Sequence, residues 1–283
     1  MEASHPRRRP AEFPAALAGI LARAAVFLLL WITPASAFDQ IPVPRILEER
    51  GIRDQTDPVA VADTFLNIPY RLDGTLDEQG RFTLFEEPDR IFDDPGLNCS
   101  GLLLSATRFL LRRNITLQEA QFDRLGDSGL ESPLGKNWDY GWDLILNLTE
   151  GRWRQVVMPD DGDYHLEGQT AETLRGFDLQ DQAAWEKVLA RIKPGYLYLA
   201  SLSKPTAKAA ALHWHVSLIL ADAKGGVYLY QTTRTSNRTY RTDLRSASGR
   251  DRFHQAFPHS WRGKKMILII ETKLPIIQAE TGE

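Results

Sequence analysis

The chain has 283 residues, of which 43% are hydrophobic and 25% charged, with a formal net charge of −3 at neutral pH. This balance fits an ordinary globular protein and gives no support for a nucleic-acid partner. A single cysteine, Cys99, excludes an intramolecular disulfide.

Met1 to Arg9 carries three consecutive arginines, and Ala24 to Ile32 is an apolar run too short to span a bilayer comfortably. Ala35-Ser36-Ala37 follows, with small residues at both positions that a signal peptidase reads. A basic start, an apolar middle and an A-x-A end predict a secretory signal peptide over residues 1–37, so that the mature chain begins at Phe38. No cysteine lies near the cleavage site, so this is not the signal of a lipoprotein, and no membrane span is expected after cleavage. The expected location is periplasmic or secreted. Removing Arg7, Arg8, Arg9 and Arg23 together with Glu2 and Glu12 leaves a charge of about −5.

A helix is predicted from about Asp57 to Asn67, then a loop rich in Gly, Asp and Glu as far as Gly96. From Ser100 to Arg113 the pattern is helical again. Leu103, Ala106 and Leu110 form one stripe with Leu102 and Phe109 beside it, a broad apolar face that suits a central helix. Asn98 is placed to cap this helix, Pro95-Gly96 to turn the chain into it, and Asn114 to end it in a left-handed conformation. Cys99 then occupies the first helical position, where unpaired N–H groups favour a thiolate.

The stretch from Asn114 to Ile192 reads as short helices with several Trp and Tyr, closing with a structural helix near Asp178 to Ile192 that carries Trp185, Val188 and Leu189 at core spacing. Four strands follow, over residues 195–202, 214–220, 226–233 and 264–274. Helices first and hairpin-linked strands later predict an α+β fold.

An exported lone thiol is either buried for packing or kept for its reactivity, and a reactive one needs a base. Alternation places His213, His215 and Ser217 on one face of their strand, with Gln231 or Thr233 across from His215. A glutamine carbonyl there can accept the Nδ1–H bond of His215 and leave Nε2 for the thiol. The alternatives are a histidine satisfied inside the sheet and a His213/His215 metal pair, for which no third ligand stands nearby.

Four segments, in order, resemble the NlpC-type, papain-like cysteine peptidases that cut bacterial cell-wall peptides. They are NIPYRLDG (67–74), NCSGLLL (98–104), IKPGYLYLA (192–200) and HVSLIL (215–220). The resemblance implies that Cys99 is the nucleophile, His215 the base and Gln231 the orienting residue. It also implies that Tyr70 contributes a phenolic O–H near the developing oxyanion, beside the N–H of Cys99, and that no metal or organic cofactor is needed. The implied fold is papain-like: a cysteine-bearing helix packed on an antiparallel β-sheet, in a single NlpC-like catalytic domain over 38–283. Asn98, Tyr196 and Ser217 depart from the family pattern of Asp, Asp and Gly.

The surplus length over 114–193 is expected to be a helical or irregular insertion forming a lid or groove wall. Its rings, Trp138 and Trp142 among them, either stack on a ligand or form the insertion's own core. Ser100, small and adjacent to the thiol, joins Trp138 and Trp142 as an expected substrate contact. The implied activity is hydrolysis of amide bonds in peptidoglycan stem peptides. The alternatives are a transglutaminase-like or other thiol acyltransferase, and a catalytically impaired binding protein on the same scaffold. N-terminal sequencing of protein produced in a bacterial host should return Phe38; recovery of the intact chain from membranes would contradict export by cleavage.

Overall fold

The computed structural model describes residues 40–275, so the expected signal peptide lies outside the described residues. A short helix α1 (Arg45–Glu48) and a 3-10 turn (Ile52–Asp54) lead to α2 (Pro58–Asp63). Asp57 starts α2 by accepting the Val59 N–H at 3.2 Å, with Pro58 at the first helical position, where its missing donor costs nothing. The chain then continues in turns to Asn67, whose φ of 61° is left-handed. Helix proper thus ends earlier than the predicted Asn67.

The stretch expected to be loop contains a small hairpin of β1 (Gly74–Leu76) and β2 (Phe82–Leu84). Asp77 closes its turn by accepting the N–H groups of Gln79 and Arg81. Strands of three residues are too short to show a period in sequence.

Next comes α3 (Cys99–Leu111), in which every residue from Ser100 to Leu111 is buried. A helix buried all round needs its polar groups satisfied from within. Arg108 accordingly donates to the carbonyls of Ile115 (2.6 Å), Leu76 (2.8 Å) and Asp77 (2.8 Å). The left-handed residue that ends α3 is Arg112, with φ 52°, and not Asn114. The amide of Asn114 instead ties the chain to the Glu78 carbonyl at 2.9 Å.

Six further elements precede the long strands' end: α4 (Leu117–Ala120), α5 (Tyr140–Leu148), β3 (Arg154–Val156), β4 (Phe177–Asp178), α6 (Gln182–Arg191) and β5 (Tyr196–Lys204). They are followed by β6 (Leu212–Ala221), β7 (Val227–Thr232), β8 (Thr239–Asp243), α7 (Ala247–Ala256) and β9 (Met266–Lys273). The sheet runs β3-β9-β5-β6-β7-β8, with β4 also on β9, and every pairing in it is antiparallel. The protein is therefore α+β.

One sheet face carries Leu197, Leu199, Val216, Leu218, Leu268 and Ile270 in a core shared with α2, α3 and α5. The other carries Tyr198, Ala200, Ile219, Leu229, Ile267 and Ile269 against α6 and Phe253 of α7. The helix carrying Trp185, Val188 and Leu189 is structural, as predicted. Strand β8 and helix α7 escape the sequence reading because neither is apolar: β8 is Thr-Tyr-Arg-Thr-Asp at the sheet edge, and α7 buries only Gly249, Phe253 and His254.

Segment 114–193 is woven into the domain. It supplies α5 to the first core, and β3 and β4 to the sheet edge. Trp138 and Trp142, expected on a ligand face, are 2% and 1% exposed inside that first core.

Two local constraints place the site. On β6, Leu202 of β5 opposes His215 while Ser203 opposes His213, so Trp214 is the extra residue of a β-bulge. Beside Cys99, a Cβ on Gly101 would fall far inside van der Waals contact with the Gly74 carbonyl oxygen and 2.8 Å from the Thr75 Cα. Gly101→Ala should therefore lower stability by about 1–3 kcal/mol through overpacking, read as a fall in Tm. An unchanged Tm would show that the first turn of α3 can shift.

Candidate active site

The segment carrying Tyr70 holds the start of α3 in place. Thr239, the first residue of β8, and Asn237, just before it, bond to it on one side through Asn67 N–H to Thr239 O (3.0 Å) and Tyr70 N–H to Asn237 O (2.9 Å). On the other side Leu97 N–H bonds to Pro69 O (3.0 Å), Arg71 N–H to Leu97 O (3.2 Å) and Asn98 N–H to Gly74 O (2.8 Å). Asn98 then caps the helix, its Oδ1 accepting from Gly101 N–H at 2.7 Å. Cys99 emerges half-buried, with its own N–H at the helix start and without an intrahelical acceptor.

His215 meets it from β6. The β6–β7 ladder runs from Ala221↔Val227 to Leu218↔Tyr230, so His215 lies three residues past its last pair. There the His215 imidazole and the Val216 N–H stand near enough to the Cys99 sulfur to favour its thiolate form. The other imidazole nitrogen, Nε2, donates to Gln231 Oε1 at 2.9 Å, and Gln231 Nε2 donates to the Tyr240 hydroxyl at 2.8 Å. An amide oxygen only accepts, so Nε2 carries a proton and Nδ1 is the nitrogen left for the thiol. This reverses the nitrogens expected from the sequence, while the partners are the expected ones. Phe257, at the end of α7, packs on the imidazole with ring centroids 4.9 Å apart. Nothing in the sequence marked Phe257, because it belongs to an element with almost no apolar pattern.

Burial alone would raise the Cys99 pKa. The charge and hydrogen bond of His215, with help from Val216 N–H and Ser100, outweigh it and lower the thiol to about 7. For His215, burial works against the charged ring, but the Cys99 charge and the bonds to Cys99 and Gln231 win and raise its pKa. Opposite shifts of this kind favour a thiolate–imidazolium pair, the state of an activated cysteine nucleophile.

His213 is a different group altogether. The bulge at Trp214 turns its side chain to the first core, away from His215, which corrects the shared face expected from simple alternation. It is 1% exposed, pairs with Ser201 Oγ (3.0 Å) and the Ala171 carbonyl (2.9 Å), and stacks edge-on against Trp142. Burial holds its pKa down to about 4. A neutral, doubly bonded histidine facing away from His215 does not make a metal pair with it.

Of the other expected site residues, Ser100 is buried with its Oγ 4.0 Å from the Cys99 sulfur. Tyr70 is tied in by its main chain, and its hydroxyl makes none of the hydrogen bonds found among the described residues. A second tyrosine, Tyr140 at the start of α5, has a buried hydroxyl with no hydrogen-bond partner. Burial raises its pKa, and the charges of Cys99 and Asp73 push it further in the same direction; Ser100 is its polar neighbour. A neutral O–H that feels the charge of the thiolate is a candidate donor for an oxyanion. Trp138 and Trp142, sealed in the core, offer no stacking surface.

The chain matches no protein-family model, no curated protein and no solved structure.

The rate of Cys99 alkylation by iodoacetamide should inflect near pH 7, below the ~8.5 of a free thiol. In His215→Ala the counter-charge is gone and burial remains, so the inflection should move above the free-thiol value. An unmoved inflection in that variant would show that the imidazole does not set the thiol's pKa.

Proposed function

We propose that the protein is an exported, papain-like cysteine peptidase or amidase of the NlpC type, acting on the stem peptides of peptidoglycan. The observation that carries this reading is a Cys99–His215 pair with the thiol lowered and the imidazole raised, the imidazole in turn held by hydrogen bonds through Gln231 to Tyr240. A cysteine kept only for packing has no use for a buried base held by a second buried polar residue. The four-segment resemblance narrows the class to cell-wall peptides.

The Cys99 thiolate attacks the amide carbonyl carbon, and the C–O electron pair moves to oxygen. That oxyanion is met by the Cys99 N–H and the Tyr140 O–H. The tetrahedral intermediate collapses as the imidazolium gives its Nδ1 proton to the leaving amine, and a thioester to Cys99 remains. His215, now neutral, takes a proton from water as the water attacks the thioester. Collapse expels the thiolate, releases the carboxylic acid and restores the pair. Gln231 holds the Nε2–H throughout, so the ring keeps Nδ1 on the sulfur through both proton transfers.

Asp73, three residues after Tyr70, stands close enough for its charge to reach the Tyr140 hydroxyl. Its carboxyl holds Glu86 N–H at 2.8 Å, and burial raises its pKa.

Mass spectrometry of purified cell-wall fragments incubated with the mature protein should show new amine and carboxyl termini at one amide. A new amide or ester in their place would favour the acyltransferase. Cys99→Ala and His215→Ala should each abolish turnover, and the double variant should be no worse than either, since the two act as a unit. Gln231→Ala should be milder, about tenfold to a hundredfold in kcat, because it frees the ring without removing the acid–base group. Tyr140→Phe keeps the ring against Phe85 and should cost about 10² in kcat with little change in KM. Full activity in Tyr140→Phe would remove it from the oxyanion site.

A further inference from the structure

Three aspartates near the start of α5 form a cluster that the reaction does not use. Asp123, Asp139 and Asp143 present carboxylate oxygens that all lie within 4.8 Å of one another. Asp139 is 0% and Asp143 3% exposed. Each carboxylate spends part of its capacity on the loop. Asp123 accepts the N–H groups of Gly126 (2.8 Å) and Ser128 (3.0 Å), Asp139 Oδ1 accepts the Ser128 hydroxyl, and Asp143 Oδ2 accepts Arg124 N–H (3.2 Å).

The remaining oxygens of the two buried groups, Asp139 Oδ2 and Asp143 Oδ1, are buried and accept nothing. Asp139 occupies the N-cap position of α5, yet its side chain does not cap the helix. Its free oxygen is committed to the cluster instead.

Two neighbouring buried anions with unused lone pairs are costly unless something positive lies between them. The cations nearby are engaged elsewhere. The Arg124 guanidinium bonds Asn147 (3.2 Å) and Glu150 (2.6 Å), and Lys136 pairs with Glu86 (3.0 Å). Asp127 adds further negative charge beside Asp139. The cluster must hold protons or a cation.

We propose that Asp123, Asp139 and Asp143 bind a hard divalent cation of the calcium type. The donors are all oxygen, with no imidazole or thiolate among them, which selects against zinc and copper. Calcium takes six to eight oxygens at roughly 2.3–2.6 Å, so oxygens on opposite sides of the ion stand about 5 Å apart, whereas magnesium at roughly 2.0–2.1 Å demands a tighter octahedron. An adjoining hollow of about 170 Å³, bordered also by Gln121, Ser128 and Asn137, gives space for water or amide oxygens to complete the shell. The ion ties the loop around Asp123 to the first turn of α5, one residue from Tyr140.

The test uses the unaltered chain stripped with a chelator. Calcium should raise its Tm by several degrees, and magnesium at the same concentration should raise it far less. Terbium should bind and luminesce on excitation of tryptophan, since Trp138 and Trp142 flank Asp139 and Asp143 in sequence, and calcium should quench that signal by displacement. Asp139→Asn and Asp143→Asn should lose the calcium response while their metal-free Tm equals or exceeds that of the unaltered chain, because buried repulsion is removed. A Tm indifferent to millimolar calcium, an equal response to magnesium, or Asn variants that keep the full calcium response would each overturn the assignment. Should the variants fail to fold, absence of calcium-displaceable terbium luminescence in the unaltered chain overturns it alone.

Discussion

The approach of α3 to the Gly74 carbonyl is the constraint on which the site depends. That carbonyl accepts the Asn98 N–H and occupies the space where a side chain at 101 would begin. Only a glycine at 101 lets the first helical turn come this close. The result is a Cys99 whose main chain is locked to the 67–74 segment, which is itself bonded to Asn237 and to Thr239 at the start of β8. Because β8 pairs with β7, and β7 carries Gln231, the same set of bonds positions both ends of the relay. The rigidity comes from backbone hydrogen bonds and close packing, the contacts least able to drift.

The chemistry at Cys99 is a contest between burial and partners. Desolvation disfavours both the thiolate and the imidazolium, so a dry site with either group alone would hold it neutral. Brought together, each supplies the counter-charge the other lacks. The bulge at Trp214 separates this pair from His213, which is subject to the same burial without an anion and stays neutral. Two histidines two residues apart thus carry opposite protonation tendencies, decided by one extra residue in a strand. The aspartates at the start of α5 pose the same contest with like charges, and a cation resolves it where a proton is the alternative.

Much of the framework is legible in local sequence. The N-cap Asn98, the cysteine at the helix start, the four apolar strands and the Trp185 helix all follow from capping residues and periodicity, and they reappear within a few residues of their predicted limits. What local pattern misreads has a common cause. The hairpin β1–β2, strand β8 and helix α7 are short or polar, so their conformation is imposed by neighbours and leaves no period to read. The tryptophans of 114–193 look the same in sequence whether they face a groove or a core; the sheet and α5 decided for the core.

By itself, the sequence determined where the candidate groups sit: a lone cysteine opening an apolar helix, a histidine on a strand, and a glutamine on the return strand at matching parity. Those relations are local or depend only on the two-residue alternation of a hairpin. Tertiary structure alone decided that the cysteine and the histidine meet, which imidazole nitrogen is left for the sulfur, that Tyr140 lies within reach of the thiolate's charge, that Phe257 backs the ring, and that His213 belongs to the core. Each of these depends on a contact between segments far apart in the chain, or on a one-residue bulge that reverses a strand's faces. No period in the chain encodes such contacts, because they exist only once the sheet and its two helical layers have packed.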